Sequence, residues 1–149
     1  MVVKVQLEFD MSSSPSPKTK TKTKTKTKRR ILVVDDEPDI TFTLKKGLEN
    51  SGMFEVDTFN VPQQALSSLK PDYYDFLLID IKMPQMSGYD LYDNIKKIDS
   101  KVKSCFISAY EINYQVLREQ FPTLEMECYA KPIEINELIR KINEELDIS

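Results

Sequence analysis

The sequence predicts a doubly wound α/β fold, a parallel sheet covered by helices on both faces, and three observations carry that reading. Short apolar runs recur without polar alternation inside them. Between them lie stretches whose apolar residues repeat every three or four positions. The two kinds of segment alternate from residue 31 to residue 149.

The elements follow in order. Ile31 to Val34 is continuous and apolar, as for a strand buried on both faces. Ile40, Leu44 and Leu48 then mark a helical face, which Asn50-Ser51-Gly52 stops. Phe54 to Phe59 is a weaker second strand, and Ala65, Leu66 and Leu69 mark a second helix ending at Lys70-Pro71. Phe76 to Ile79 is the third strand, followed by a face of Leu91, Tyr92, Ile95 and Ile98. Cys105 to Ile107 is the fourth, followed by Ile112, Val116 and Leu117. Glu125 to Ala130 is a weaker fifth strand. Ile135, Leu138, Ile139, Ile142 and Leu146 then form the clearest helical stripe. Five strands and five helices at this size suit a flavodoxin-like five-stranded sheet of order 2-1-3-4-5.

A chain of 149 residues allows one such domain. No apolar run approaches membrane-spanning length, and no long apolar stretch opens the chain, so a cytoplasmic protein without membrane contact is expected. The two cysteines, Cys105 and Cys128, read as buried thiols rather than a disulfide framework. Histidine is absent, which excludes histidine-liganded metals, Ser-His-Asp triads and a phosphohistidine within this chain.

Charge divides the chain in two. Residues 1–30 hold nine Lys or Arg against two acids, a net of +7, whereas residues 31–149 hold twelve against twenty-two, a net of −10. Residues 1–30 read as a disordered, low-complexity Lys/Thr-rich tail, and residues 31–149 as the folded domain. Inside the tail, Val3, Val5, Leu7 and Phe9 alternate as in a half-buried strand. That strand either adds to a sheet edge, or Met11 is the true start.

The chemistry sits where strands end. Asp35-Asp36-Glu37 follows the first strand and Asp80 ends the third, and these two strands are neighbours in the expected order. Three or four carboxylates so gathered are costly unless protonated or neutralised, and an all-oxygen set suits Mg²⁺. Ser108 ends the fourth strand and Lys131 the fifth, adding a hydroxyl and an ammonium. Each has a plain alternative: the acids as a helix cap, Asp80 as a turn cap, Lys82 as a solvated loop lysine. Their conjunction at successive strand ends is what phosphoryl transfer to a carboxylate needs.

The runs ILVVDDEPDI (Ile31 to Ile40), FLLIDIKMPQMSG (Phe76 to Gly88), FISAY (Phe106 to Tyr110) and YAKPI (Tyr129 to Ile133) resemble the receiver domains of two-component response regulators. The resemblance implies that Asp80 is the phosphoacceptor. It implies that Asp35, Asp36, Asp80 and the main-chain carbonyl of Lys82 hold Mg²⁺. Ser108 is then the switch hydroxyl, Lys131 the partner of a phosphoryl oxygen, and the Lys131-Pro132 bond cis. One position departs: Cys128 stands where the family usually places an aromatic, which makes surface repacking the expected route of the signal.

The function so implied is a stand-alone receiver, phosphorylated by a histidine kinase or histidine phosphotransfer protein and signalling by contact with a downstream protein. It is not an enzyme beyond its self-catalysed phosphoryl transfer and hydrolysis. The alternative is a nucleic-acid-associated regulator using the basic tail, whose binding should be weak and sequence-blind. A haloacid-dehalogenase-type phosphatase is disfavoured because Lys82 stands where that family has a second acid.

Overall fold

Residues 27–109, 113–120 and 128–147 are described by the computed structural model of the chain. Strands and helices alternate as β1 (Arg29–Val34), α1 (Pro38–Asn50), β2 (Phe54–Phe59), α2 (Pro62–Ser68), β3 (Phe76–Asp80), α3 (Gly88–Ile98), β4 (Lys103–Ser108), α4 (Tyr114–Gln120), β5 (Cys128–Ala130) and α5 (Ile135–Glu145). All neighbouring strands are parallel, in the order β2-β1-β3-β4-β5.

The continuous apolar runs make sense once both faces of the sheet are followed. Successive side chains of a strand point to opposite faces. Ile31 and Val33 pack with Phe76, Leu78, Cys105 and Ile107 against Leu44 and Leu48 of α1 and Leu138 and Ile142 of α5. Leu32 and Val34 pack with Leu77, Ile79 and Phe106 against Ala65 of α2 and Leu91, Tyr92 and Ile95 of α3. Each fully buried Leu, Ile or Phe so placed contributes roughly 1.5–3 kcal/mol relative to exposure. That is why no polar residue interrupts β3 before Asp80.

Helix boundaries have local causes. Pro38 and Pro62 open α1 and α2, where a missing N–H costs nothing. Ser87 caps α3 by accepting a hydrogen bond from the Asp90 N–H at 3.1 Å. The sheet's outer strand β2 is covered by α1: the Val56 N–H donates to Glu49 Oε2 at 3.1 Å, and the Val56 carbonyl accepts from Lys45 Nζ. An edge so occupied has fewer groups to offer another strand.

Several expectations need correction. Arg29 and Arg30, assigned to the tail, are the first residues of β1. The Arg30 N–H donates to Asp75 Oδ2 at 2.8 Å, its guanidinium lies 3.1 Å from Glu55, and it stacks 4.6 Å from the Tyr73 ring centre. Their positive charges belong to the domain because acids on β2 and before β3 face them. The second helix stops at Ser68, because Leu69 has already turned to extended backbone. Val116 is 46% exposed rather than part of a buried face, and Ile98 is 38% exposed. β5 spans three residues, so the Glu125–Met126–Glu127 part of the expected strand lies outside the described residues. Outside them too lie Ile112, the residues of the expected Val3–Phe9 strand, and nearly all of the segment for which disorder and nucleic-acid binding are expected. The same holds for the side chains of Leu117 and Cys128. Cys105 is a buried thiol outside any disulfide, as expected. Among the described residues no helix is long and apolar enough to cross a membrane.

Candidate functional site

The register of the sheet brings the acids together. Val34 of β1 pairs with Ile79 of β3, so Asp35 and Asp80 occupy the next positions of adjacent parallel strands. Both strands end there, and both side chains are buried, Asp35 completely. Asp36 is half-buried beside them. One carboxylate oxygen from each of Asp35, Asp36 and Asp80 lies within 4.8 Å of the others.

Lys131 enters from the far side. It follows β5, and its N–H donates to the Ser108 carbonyl at 2.8 Å, which ties the loop to the end of β4. The Lys131-Pro132 peptide is cis. The lysine side chain is only 11% exposed, and its Nζ lies 2.8 Å from Asp35 Oδ2, 2.8 Å from Glu37 Oε1 and 3.5 Å from Asp80 Oδ1. Ser108 is buried at the end of β4, one residue beyond Ile107, the register partner of Asp80. Lys82 is exposed on the loop after β3. The structure therefore gathers Asp35, Asp36, Asp80 and Lys131 into one cluster, with Ser108 at the adjoining strand end and Lys82 at the rim.

The electrostatics follow from burial. Desolvation, reinforced by the neighbouring Asp35 and Asp36, pushes the Asp80 carboxyl up to about 7, and Lys131 offsets this only in part. Burial likewise raises Asp35 against the pull of Lys131. Burial would depress the Lys131 ammonium, but hydrogen bonds to Asp35 and Glu37 outweigh it and hold the lysine above its ordinary value. One ammonium is too little charge for this many acids. Asp35 Oδ1 accepts from the Glu37 N–H at 2.9 Å, and Oδ2 is buried 2.8 Å from the Lys131 ammonium. Three clustered carboxylates with no softer donor beside them fit a hard divalent cation.

Three residues join the site that sequence reasoning gave no role. Glu37, one of an acidic run in the sequence, is the hydrogen-bond partner of Lys131 at 2.8 Å. Asn60 donates through Nδ2 to the Asp35 carbonyl at 2.7 Å and to Thr41 Oγ1 at 3.0 Å, bracing the end of β1. Nothing in the sequence pointed to it. Gly88 donates its N–H to the Ile81 carbonyl at 2.8 Å, and a Cβ there would stand 2.3 Å from the Asp80 carbonyl oxygen. It closes the quoted run beginning at Phe76, which was a signal of place but not of function.

Comparison with known proteins agrees with this geometry. Residues 31–143 match the model of the response regulator receiver domain. The chain is 29% identical over 118 residues to the response regulator receiver protein CpdR of Brucella abortus, covering 79% of this chain and 97% of that one. It is 38% identical over 80 residues to the transcriptional regulatory protein PrrA of Mycobacterium tuberculosis, covering 54% of this chain and 34% of PrrA. It thus spans about a third of the length of PrrA. Among solved structures, a CheY-like receiver domain protein of Methanospirillum hungatei superposes with a TM-score of 0.72 at 27% identity, covering 81% of this chain and 95% of that chain. The response regulator TrrA of Thermotoga maritima, in complex with Mg²⁺ and BeF, gives 0.64 at 32% identity, covering 78% and 97%.

Proposed function

The chain belongs to the response regulator receiver domain family of two-component systems, and on that premise we propose that it accepts a phosphoryl group on Asp80 and signals through protein contact. The observation that carries the proposal is the cluster itself: a buried carboxylate at the end of β3, flanked by two acids and a lysine. The phosphoryl donor is a histidine kinase or a histidine phosphotransfer protein, and the reader of the phosphorylated state is a downstream protein.

In the reaction an Asp80 carboxylate oxygen attacks phosphorus, the bond to the leaving group breaks, and that group departs with the electron pair. Lys131, held within reach of Asp80, bonds to a phosphoryl oxygen and offsets its charge. Asp35, Asp36, Asp80 and the Lys82 carbonyl would hold Mg²⁺, which would supply further positive charge to the site. Burial excludes water from the nucleophile until the donor docks. The Ser108 hydroxyl, at the neighbouring strand end, turns toward the new dianion and couples it to β4 and the surface beyond.

Incubation with acetyl phosphate and Mg²⁺ tests the proposal. Intact mass should rise by one phosphoryl group, with peptide mapping placing it at Asp80. Label at another residue would sink the assignment. In the same assay Lys131→Ala should label about 10- to 100-fold more slowly, since one charge-assisted contact to the phosphoryl group is lost. A rate within twofold of the parent would remove Lys131 from the reaction.

A further inference from the structure

Lys131 is shared between competing acids, and the geometry of that competition is specific. Its ammonium has three N–H donors. It lies 2.8 Å from both Asp35 and Glu37 but 3.5 Å from Asp80. Glu37 is the N-cap of α1, yet its side chain makes no cap hydrogen bond. It reaches instead to a residue 94 positions later.

We infer that Glu37 is a positioning residue that holds the Lys131 ammonium off Asp80 and slows phosphoryl transfer, an inference resting on Asp80 as the phosphoacceptor. When phosphoryl oxygens arrive at Asp80, Lys131 must swing to them and surrender a partner. Asp35 is fully buried and loses heavily if left unpaired, whereas the Glu37 side chain is 60% exposed and passes into water at little cost. Glu37 is therefore the contact that gives way. Until it does, it withholds the lysine and adds a negative charge at the mouth facing an anionic donor.

The step is unchanged by this restraint. An Asp80 oxygen forms the bond to phosphorus, acetate leaves acetyl phosphate with the electron pair of the broken P–O bond, and no proton is transferred. Removing the restraint speeds the step only.

The full chain, acetyl phosphate and Mg²⁺ provide the test. Because an exposed ion pair is weak, Glu37→Gln should raise the labelling rate only about three- to fivefold. In a Lys131→Met background the same substitution should change the slower rate by less than about half that factor, because its effect passes through the lysine. In metal-free protein, Glu37→Gln should also shift the Lys131 side-chain NMR resonance, a readout that does not depend on labelling. An unchanged or slower rate, an equal gain without Lys131, or an unmoved lysine resonance would overturn the inference while the phosphoacceptor reading stands. A parent chain that takes no label at Asp80 would overturn that reading and this inference with it.

Discussion

Asp80→Asn should abolish phosphoryl labelling and, in metal-free buffer at pH 8, make the folded protein more stable. The first effect is chemical, since an amide oxygen is no substitute for the carboxylate nucleophile. The second comes from burial. An unfolded aspartate ionises near 3.8, whereas the folded state, burying Asp80 beside Asp35 and Asp36, holds its proton to about 7. A raised folded value means that folding favours the protonated form. Stability is therefore fully present below about pH 4, falls as pH rises, and reaches its floor above about pH 7. A shift of this size is worth on the order of 2–4 kcal/mol. Asparagine keeps the shape and never ionises, so its advantage should be absent at pH 4 and largest above pH 7. Urea unfolding of both proteins across that range, in EDTA, measures it directly. Added Mg²⁺ should stabilise the parent more than the variant and narrow the gap. If the variant gains nothing over the parent at pH 8 without metal, the charge crowding described for this site is wrong.

Gly88→Ala should unfold the protein more readily by about 2–4 kcal/mol, a large cost for one methyl group. The new Cβ would stand 2.3 Å from the Asp80 carbonyl oxygen, 2.9 Å from Ile81 Cα and 3.0 Å from the Asp80 carbonyl carbon. All three are main-chain atoms, and none can rotate away. Either the start of α3 lifts or the end of β3 moves, and the latter carries Asp80 out of register with Asp35. Phosphorylation should fall together with stability. Gly47 supplies the contrast. The three atoms nearest a Cβ there all belong to the Ile135 side chain, the first at 2.8 Å, and that side chain can change rotamer. Alanine also favours a helix interior over glycine by about 1 kcal/mol. Gly47→Ala should therefore cost far less, and paired urea titrations of the two variants will show it. Equal costs would mean that the β3–α3 junction yields more easily than its geometry indicates.

The order of elements, the parallel sheet and the residues at the strand ends can all be read along the chain. Those follow from patterns written along the chain. An uninterrupted apolar run such as Phe76 to Ile79 reads as a strand covered on both faces, and the Leu138, Ile142 stripe as a helix lying on it, and the packing agrees. Asp35, Asp80, Ser108 and Lys131 were legible because a strand end is a position in sequence as well as in space. Contacts between segments distant in sequence emerge only in the folded protein. Arg29 and Arg30 look like the last of a basic tail until Asp75 and Glu55 are seen beside them. Val116 reads as core by spacing, yet among the described residues it is exposed. Gly88 is one small residue in a loop until the Asp80 main chain is found against its Cα. Glu37 and Lys131 are 94 residues apart, and no periodicity links them. Local pattern reports how a segment buries its own apolar surface. Which charge meets which is settled only when the sheet closes and the distance along the chain ceases to matter.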